Sequence, residues 1–246
     1  MRTMHLFAGA GGGLLADLIL GHTPVVAVEW EPYACQVLRE RAAEGWFPGL
    51  RVWEGDVRLF DPSEYAGSVD CIHAGFPCQD ISVAGKQAGV GTETRSGLYR
   101  EVLRIAGVVR PRYLFLENVS AIVTNGLGTV LADLAALGYE SEWLCLRASD
   151  CGANHHRDRW WLLADSGEIG LRGKATVYEL GRVRPSERGL ATEWWRTEPT
   201  QTTREVERGL GGLADGFPYR VDRIKCGGNA QVPIQAATAW RLLGGE

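Results

Sequence analysis

The stretch TMHLFAGAGGG, residues 3–13, joins a short apolar strand to a glycine-rich turn and leads into an apolar helix at residues 14–20. Glycines in such a turn let a ligand approach the backbone, and the start of the following helix offers N–H groups that no helical carbonyl uses. The spacing differs from the GxGxxG pattern of dinucleotide-binding proteins. The stretch therefore predicts a strand, a turn and a helix with room for a ligand, although many sheet proteins use a similar turn.

Short apolar strands continue to alternate with helical segments as far as residue 164. This alternation predicts an α/β fold, in which a doubly wound and mostly parallel sheet carries helices on both faces. Ligands of such sheets bind beyond the carboxyl ends of the strands, where the strand order reverses. The predicted strands are residues 3–6, 25–28, 50–53, 71–74, 113–117, 143–146 and 160–164, and the predicted helices are residues 14–20, 32–41, 97–109, 129–137 and 234–243.

The alternation ends at Asp165, and the chain from there to about residue 208 is rich in Gly, Arg, Glu and Thr with little periodicity. We therefore predict three parts. They are an α/β domain over residues 1–165, a small irregular insert over residues 166–215, and a C-terminal segment over residues 216–246 whose helix packs back on the first part.

The composition is typical of a globular protein, since 45% of the 246 residues are hydrophobic and 23% are charged. We expect no membrane span and no export signal, because no apolar run approaches about 18 residues and the N-terminus lacks a cleavable apolar stretch. The six cysteines form no CxxC pair, which favours reduced thiols in a cytoplasm. Cys151 lies near His155 and His156, but without a second cluster of ligands we expect no metal.

The net charge of -4 does not indicate a nucleic-acid-binding protein, but the local charge differs from the average. Residues 86–112 hold six basic side chains and two acidic ones. A positive stretch of this kind suits a phosphate backbone, and it equally suits a solvated helix face.

The sequence GFPCQ, residues 75–79, places a single cysteine directly after a predicted strand. Cys78 stands on a turn shaped by Pro77 and the nearby glycines, which is a favourable position for a nucleophilic thiol. A buried structural cysteine is the alternative, because most free thiols in proteins are buried.

Polar and aromatic residues also follow the second and third predicted strands. The carboxylate of Glu29 can bind both hydroxyls of a ribose, and the indole of Trp30 can stack on an adenine. Asp56 can accept a hydrogen bond from the adenine amino group. Core packing of Trp30 and a turn or helix cap at Asp56 are the alternatives. Together these residues indicate a nucleoside cofactor without a phosphate-binding signature.

Taken in order along the chain, these motifs resemble those of the cytosine-C5 DNA methyltransferases. The resemblance covers residues 3–164 and about 216–243, and the compact chain is similar to phage and prophage enzymes, including those of restriction-modification systems. The matching motifs are Phe7-x-Gly9-x-Gly11-Gly12, Glu29-Trp30, Asp56, Gly75-Phe76-Pro77-Cys78-Gln79, Glu117-Asn118-Val119, Arg157-x-Arg159, and Gly228-Asn229-Ala230 with Pro233.

The resemblance implies the fold of class I S-adenosylmethionine-dependent methyltransferases and the transfer of a methyl group to C5 of cytosine in DNA. S-adenosyl-L-methionine is the implied cofactor and S-adenosyl-L-homocysteine the product. The implied cofactor-binding residues are Phe7, Ala8, Gly9, Gly11, Gly12, Glu29, Trp30, Asp56, Val57, Pro77, Asn229 and Ala230.

Four residues are implied as catalytic. Cys78 adds to C6 of the cytosine, which turns the ring into an enamine that attacks the methyl sulfonium. Glu117 binds N3 and the exocyclic amine, and Arg157 donates to O2. Arg159 holds Glu117 or the nucleophile loop, and the alternation Arg157-x-Arg159 on a strand places both arginines on one face.

Because C5 is buried in a stacked duplex, the cytosine must be flipped out, and we expect residues 80–96 to form a lid over the DNA. The expected partner is double-stranded DNA, bound by a monomer in the cytoplasm of a bacterium or a phage-infected cell. RNA as substrate and a DNA-binding relative without catalysis are the alternatives. The expected DNA contacts are Gln79, Ser82, Lys86 and Arg95.

The chain departs from the family pattern at three places, one of which is the stretch over residues 204–218, since it only loosely resembles the family's ninth motif. His155 stands where the family usually has a glutamine before the arginine pair. About 60 residues separate Asp165 from Gly227, which leaves room for only a small target-recognition region. We therefore expect sequence readout that is limited, relaxed or supplied by a partner.

Overall fold

A computed structural model describes residues 1–77, 97–153, 155–167, 179–182 and 230–245, with the backbone alone for residues 179–182. Eight strands form one sheet in the order β3-β2-β1-β4-β5-β7-β6-β8. Among them β7 runs antiparallel to both of its neighbours, and the other pairs are parallel. The strands are β1 Arg2–Leu6, β2 Thr23–Glu29, β3 Arg51–Glu54, β4 Cys71–Gly75, β5 Tyr113–Val119, β6 Glu140–Arg147, β7 Asp158–Asp165 and β8 Glu179–Arg182.

Helices cover both faces of this sheet, so the predicted doubly wound α/β fold is confirmed. Helices α3 to α5 pack on one face, and α1, α2 and α6 pack on the other. None of the described helices has the length and hydropathy that a membrane span requires. The helices are α1 Gly12–Leu20, α2 Pro32–Ala43, α3 Gly97–Val109, α4 Ile122–Asn125, α5 Leu127–Ala136 and α6 Pro233–Leu242.

Two described elements are absent from the sequence-based prediction. Helix α4 is a single turn of four residues, too short to show a period. Strand β8 belongs to the irregular insert and pairs in parallel with β6, which extends the edge of the sheet.

Alternation along the central strands decides which side chains reach the helices. In β5, Leu114 and Leu116 belong to the core under α3, whereas Phe115 packs under α6. Because side chains alternate along a strand, Glu117 lies on the α6 side as well. Gly75 is its register partner on β4, so the carboxyl ends of β4 and β5 meet under the C-terminal segment.

Helix α6 is anchored across the middle of the sheet. The ring of Trp240 packs edge-on against Tyr113 and Phe115, with ring centroids 5.4 and 5.3 Å apart. The Gln235 side-chain amide donates to the carbonyls of Leu146 and Arg157 at 2.8 and 2.9 Å. These contacts bring residues 230–232 to the carboxyl edge of the sheet.

Candidate active site

The glycine-rich turn after β1 adopts the left-handed conformation that the sequence favours. Phe7, Gly9 and Gly11 have φ values of 58°, 54° and 99°, a region that suits glycine and strains a residue such as phenylalanine. A Cβ atom built on Gly9 would meet no other atom within 4 Å. The turn therefore leaves open space beside its backbone at the start of α1.

Glu29 at the end of β2 is held against this turn. One carboxylate oxygen accepts the N–H of Gly9 at 2.7 Å, and the other accepts those of Trp30 and Glu31 at 2.9 and 2.8 Å. The Glu29 carbonyl accepts the N–H of Gly55 at 2.9 Å. These bonds fix the carboxylate at the carboxyl end of the sheet, beside the open turn.

Trp30 and Asp56 complete this group of strand ends. Trp30 is 68% exposed, so the core-packing alternative is wrong for this residue. Asp56 caps the 3-10 turn Val57–Leu59 by accepting the N–H of Arg58 at 3.0 Å, and its carboxylate also binds the Arg58 guanidinium. The capping alternative is therefore present, and the adenine contact of Asp56 stays a prediction.

A buried ion pair lies on β5 and β7, separated from β2 by the strands β1 and β4. Glu117 is 8% exposed, and Arg159 Nε donates to its Oε1 at 2.8 Å. Burial raises the pKa of Glu117, while the charges of Arg159 and Arg157 act in the opposite direction. Burial thus favours the protonated carboxyl, which can act as a hydrogen-bond donor.

Arg157 reaches the same site by a different route from the one predicted. It precedes β7 and has a φ of 20°, so the prediction that both arginines alternate on one strand is wrong. Its Nη2 donates to the carbonyl of Ala230 at 2.7 Å, and burial lowers its pKa. Arg157, Arg159 and Ala230 line an open cleft of about 690 Å³.

Comparison with known proteins assigns the chain to a family. The model of the family described as C-5 cytosine-specific DNA methylase matches residues 1–180. The chain belongs to this family.

Relatives of this chain include bacterial and viral proteins. Type II methyltransferase M.NgoBI of Neisseria gonorrhoeae is 35% identical over an alignment of 248 positions, gaps included, which covers 93% of this chain and 75% of that protein. Type II methyltransferase M.CviJI of Paramecium bursaria Chlorella virus IL3A is 36% identical over 165 residues, which cover 66% of this chain and 42% of that protein. The chain thus spans less than half the length of the viral relative.

A solved structure supports the same fold. Dnmt2 methyltransferase of S. pombe superimposes with a TM-score of 0.60 at 16% sequence identity, over 81% of this chain and 58% of that one. The predicted class I methyltransferase fold is confirmed.

Asn118 supports the candidate site through a contact that sequence reasoning missed. Its side-chain Nδ2 donates to the Phe76 carbonyl at 3.0 Å, and its Oδ1 accepts the N–H of Val119 at 2.8 Å. Phe76 is also held by the ring of Tyr99, 5.1 Å away between centroids. Asn118 thereby ties the end of β5 to the chain just before Cys78.

Gln231 is a second residue that the sequence analysis missed. Its side chain lies between the glycine turn and Glu117, with which it forms a hydrogen bond. The available signal was the presence of glycines at positions 12, 13 and 75, which face Gln231.

Several predicted residues lie outside the described part of the chain, and their roles stay predictions. They include the nucleophile candidate, the proposed lid over residues 80–96 and most of the insert. The individual site residues concerned are Cys78, Gln79, Ser82, Lys86, Arg95 and Asn229.

Three of the described cysteines lack the exposure and the low pKa that a nucleophile needs. Cys35, Cys71 and Cys151 are buried, and burial raises the pKa of Cys35 and Cys151 to about 12 and that of Cys71 well above its usual value. Such thiols stay protonated at neutral pH and react slowly.

Proposed function

We propose that this methylase transfers a methyl group from S-adenosylmethionine to C5 of cytosine in DNA. The observation that carries the proposal is the buried pair of Glu117 and Arg159, next to the end of β4 where Cys78 follows. The held carboxylate of Glu29 lies at the same edge of the sheet. A base-binding acid and a cofactor-binding carboxylate at the same edge of the sheet, with the ends of β1 and β4 between them, suit a methyl transfer between two bound ligands.

The cofactor end of the site fits S-adenosylmethionine, the methyl donor of this family. Glu29 would bind the ribose hydroxyls, and the exposed face of Trp30 would stack on the adenine. Asp56 can share its carboxylate with Arg58, because each oxygen has two lone pairs. When bound, the cofactor supplies a methyl group on a positively charged sulfur. The remaining residues proposed to line this pocket are Phe7, Ala8, Gly9, Gly11, Gly12, Val57, Pro77, Asn229 and Ala230.

The base-binding end prepares cytosine for reaction at C5. The Cys78 thiolate adds to C6, and the electron pair of the C5–C6 double bond moves into the ring toward N3 and O2. Protonated Glu117 donates to N3, and Arg157 donates to O2, so both stabilise the developing negative charge. Once C5 carries the methyl group, loss of its proton to solvent restores the double bond and releases Cys78.

The proposed substrate is double-stranded DNA with the cytosine flipped out of the stack, at a cost of a few kcal/mol. Gln79, Ser82, Lys86 and Arg95 would contact the DNA, with residues 80–96 closing over it. We further propose a monomer that works in the cytoplasm, with residues 1–165 as the catalytic domain, residues 166–215 as a small target-recognition insert and residues 216–246 as the returning segment.

The test is transfer of a labelled methyl group to DNA and, in parallel, to tRNA. We expect labelled DNA with the unchanged protein and none with Cys78→Ala. Cys71→Ala is the matched control, because this thiol is buried in β4 with a raised pKa, and it should keep the activity. DNA containing 5-fluorocytosine should trap a covalent adduct in the presence of cofactor.

Other outcomes decide against the proposal. Transfer to DNA that survives Cys78→Ala would reject the covalent mechanism. Label on tRNA alone would identify an RNA methyltransferase, and no transfer to either substrate would identify a binding protein without catalysis.

A further inference from the structure

Gln231 occupies a narrow slot that three glycines leave open. A Cβ atom on Gly12 would lie 2.2 Å from the Gln231 carbonyl oxygen, closer than any real contact. A Cβ atom on Gly13 would lie 2.7 Å from its Oε1, and one on Gly75 would lie 2.8 Å from its Nε2. Any side chain at these positions would push Gln231 out of the slot.

These glycines are required for space rather than for backbone conformation. Gly9 and Gly11 in the same turn have positive φ values, whereas Gly12, Gly13 and Gly75 do not. The slot therefore fits the C-terminal segment, which crosses from α6 to the catalytic side of the sheet.

Contacts on both sides of the Gln231 side-chain amide fix its orientation. A Cβ atom built on Gly75 would lie 2.8 Å from Nε2 of Gln231 and 3.0 Å from Oε2 of Glu117, so these two atoms face the same small space. The Gln231 side chain is hydrogen-bonded to that of Glu117. Its Oε1 lies near the ring of His73, on the Gly13 side. Since an amide nitrogen donates and a carboxylate oxygen accepts, Gln231 donates to Glu117.

Glu117 is thus held at both oxygens, by Arg159 at Oε1 and by Gln231 at Oε2. With Arg159 alone the carboxyl group could rotate about its last bond, because such terminal torsions are broad. A second contact restricts that rotation and orients the plane of the carboxyl group. Orientation of this kind lowers the cost of reaching the reactive geometry.

We propose that Gln231 is a positioning residue, which orients the Glu117 carboxyl group toward the cytosine. This inference rests on the proposed function, in which Glu117 binds the base. The charged and titratable groups that face Glu117 in the described residues are Arg159 and Arg157 beside β7, and His73 on β4 lies across Gln231.

The direction of the effect follows from the hydrogen bond. Burial raises the pKa of Glu117, and the hydrogen bond from Gln231 lowers it. Removal of the amide should therefore raise the pKa of Glu117 further. The activity limb that reports loss of the Glu117 proton should then move to higher pH.

The experiment compares two variants of similar length. Gln231→Met fills the slot without a donor, and Gln231→Glu donates only when its own carboxyl group is protonated. We expect Gln231→Met to lower kcat by up to about tenfold, the size of one lost hydrogen bond to a neutral group, with KM for the cofactor changed less than about twofold. Gln231→Glu should regain part of the activity as the pH falls.

A second readout does not depend on activity. The titration of Glu117 can be followed in the free protein by infrared or NMR spectroscopy with ¹³C-labelled glutamate, using Glu117→Gln for assignment. Gln231→Met should raise its pKa. Gln36→Met is the matched control, since this exposed amide on α2 bonds to Glu40 and should leave the Glu117 titration unchanged.

The outcomes separate this proposal from the proposed function. If the unchanged protein methylates nothing, the function fails, and the titration still tests Gln231. An unchanged Glu117 pKa in Gln231→Met, or an equal loss of cofactor affinity and kcat, would overturn the positioning role and leave Gln231 as a spacer.

Discussion

The two ends of the site are built from very different stretches of chain. At the cofactor end, Glu29 is bound by Gly9, 20 positions away, and by its own neighbours Trp30 and Glu31. At the base-binding end, Arg157 is bound by Ala230, 73 positions away. The first end is therefore a local product of successive strand–turn–helix units. The second exists only when the C-terminal segment has returned to the sheet.

This difference predicts that the two ends can be disturbed separately. Changes at the base-binding end should lower the rate of chemistry and leave cofactor binding, whereas changes at the cofactor end should do the reverse. Changes in the C-terminal slot should affect the base-binding end first.

The largest effect is expected for Glu117→Gln. The amide cannot supply a proton to the ring and changes the charge beside Arg159, so we expect kcat to fall roughly 10²- to 10⁴-fold. Single-turnover methyl transfer measures the rate, and calorimetry measures cofactor affinity, which should change by less than about twofold. A comparable loss of cofactor affinity would show that the two ends are not separable.

The next effect concerns the slot that holds Gln231, and the test compares substitutions of two helical glycines. Gly12→Ala forces a Cβ atom to within 2.2 Å of the Gln231 backbone, so we expect a loss of about 1–3 kcal/mol in the free energy of unfolding and a loss of activity. Gly107→Ala, in α3, meets no atom within 4 Å and should stabilise by about 0.5–1 kcal/mol. Urea unfolding measures both, and equal effects in the two variants would contradict a filled slot.

The same contrast explains how far the sequence could predict the structure. Strands β1 to β7 were predictable because most of them are apolar runs between turn residues, and α3 begins and ends at the predicted residues 97 and 109. The pairing of Arg159 with Glu117 was one of the two roles considered for that arginine. These features depend on short segments, or on the order of strands that alternation implies.

Gln231 and the Ala230 contact of Arg157 could not be predicted in this way. Each depends on where a segment returns after about 60 residues of irregular sequence, and no local pattern encodes that path. The only signal in the sequence was the presence of glycines at positions 12, 13 and 75. The structure shows that these glycines have no positive φ, so they are needed for the space that Gln231 occupies. Asp56 has a local signal that fits two roles, because one carboxylate serves equally well as a turn cap and as a ligand for adenine.

A smaller effect is expected at the cofactor end for Glu29→Gln. The variant keeps one acceptor oxygen for Gly9 or the ribose and loses the charge. We therefore expect the Kd for S-adenosylmethionine to rise about tenfold, or about 1.4 kcal/mol, with kcat at saturating cofactor nearly unchanged. Calorimetry and saturation kinetics provide the two values. A fall in kcat without a change in Kd would place Glu29 outside the cofactor site.

A buried polar cluster lies where the two ends adjoin, since His5 on β1 and His73 on β4 are register partners. Asp17 on α1 accepts from His5 at 2.6 Å and also binds Thr3 and His22. Burial alone would raise the pKa of Asp17, but His5 and the bond with His22 hold it below its usual range. Burial, with the charge of His5, lowers the pKa of His73 from 6.5 to about 3.

The last prediction concerns the pH dependence of stability that His73 imposes. Its pKa is lower in the folded than in the unfolded protein, so the unfolded chain binds more protons below pH 6.5, and stability is lost as the pH falls from about 6.5 toward 3. The slope is at most about 1.4 kcal/mol per pH unit. The contribution of Asp17 enters only below about pH 3.8, because its folded pKa is the lower one. Urea unfolding between pH 7 and 4.5 should therefore show a shallower slope in His73→Gln than in the unchanged protein. The test compares the slopes of stability against pH rather than absolute stabilities, so it stays valid even if the variant is less stable. Equal slopes would mean that His73 takes up its proton in the folded protein, and that the buried polar cluster accommodates the added charge.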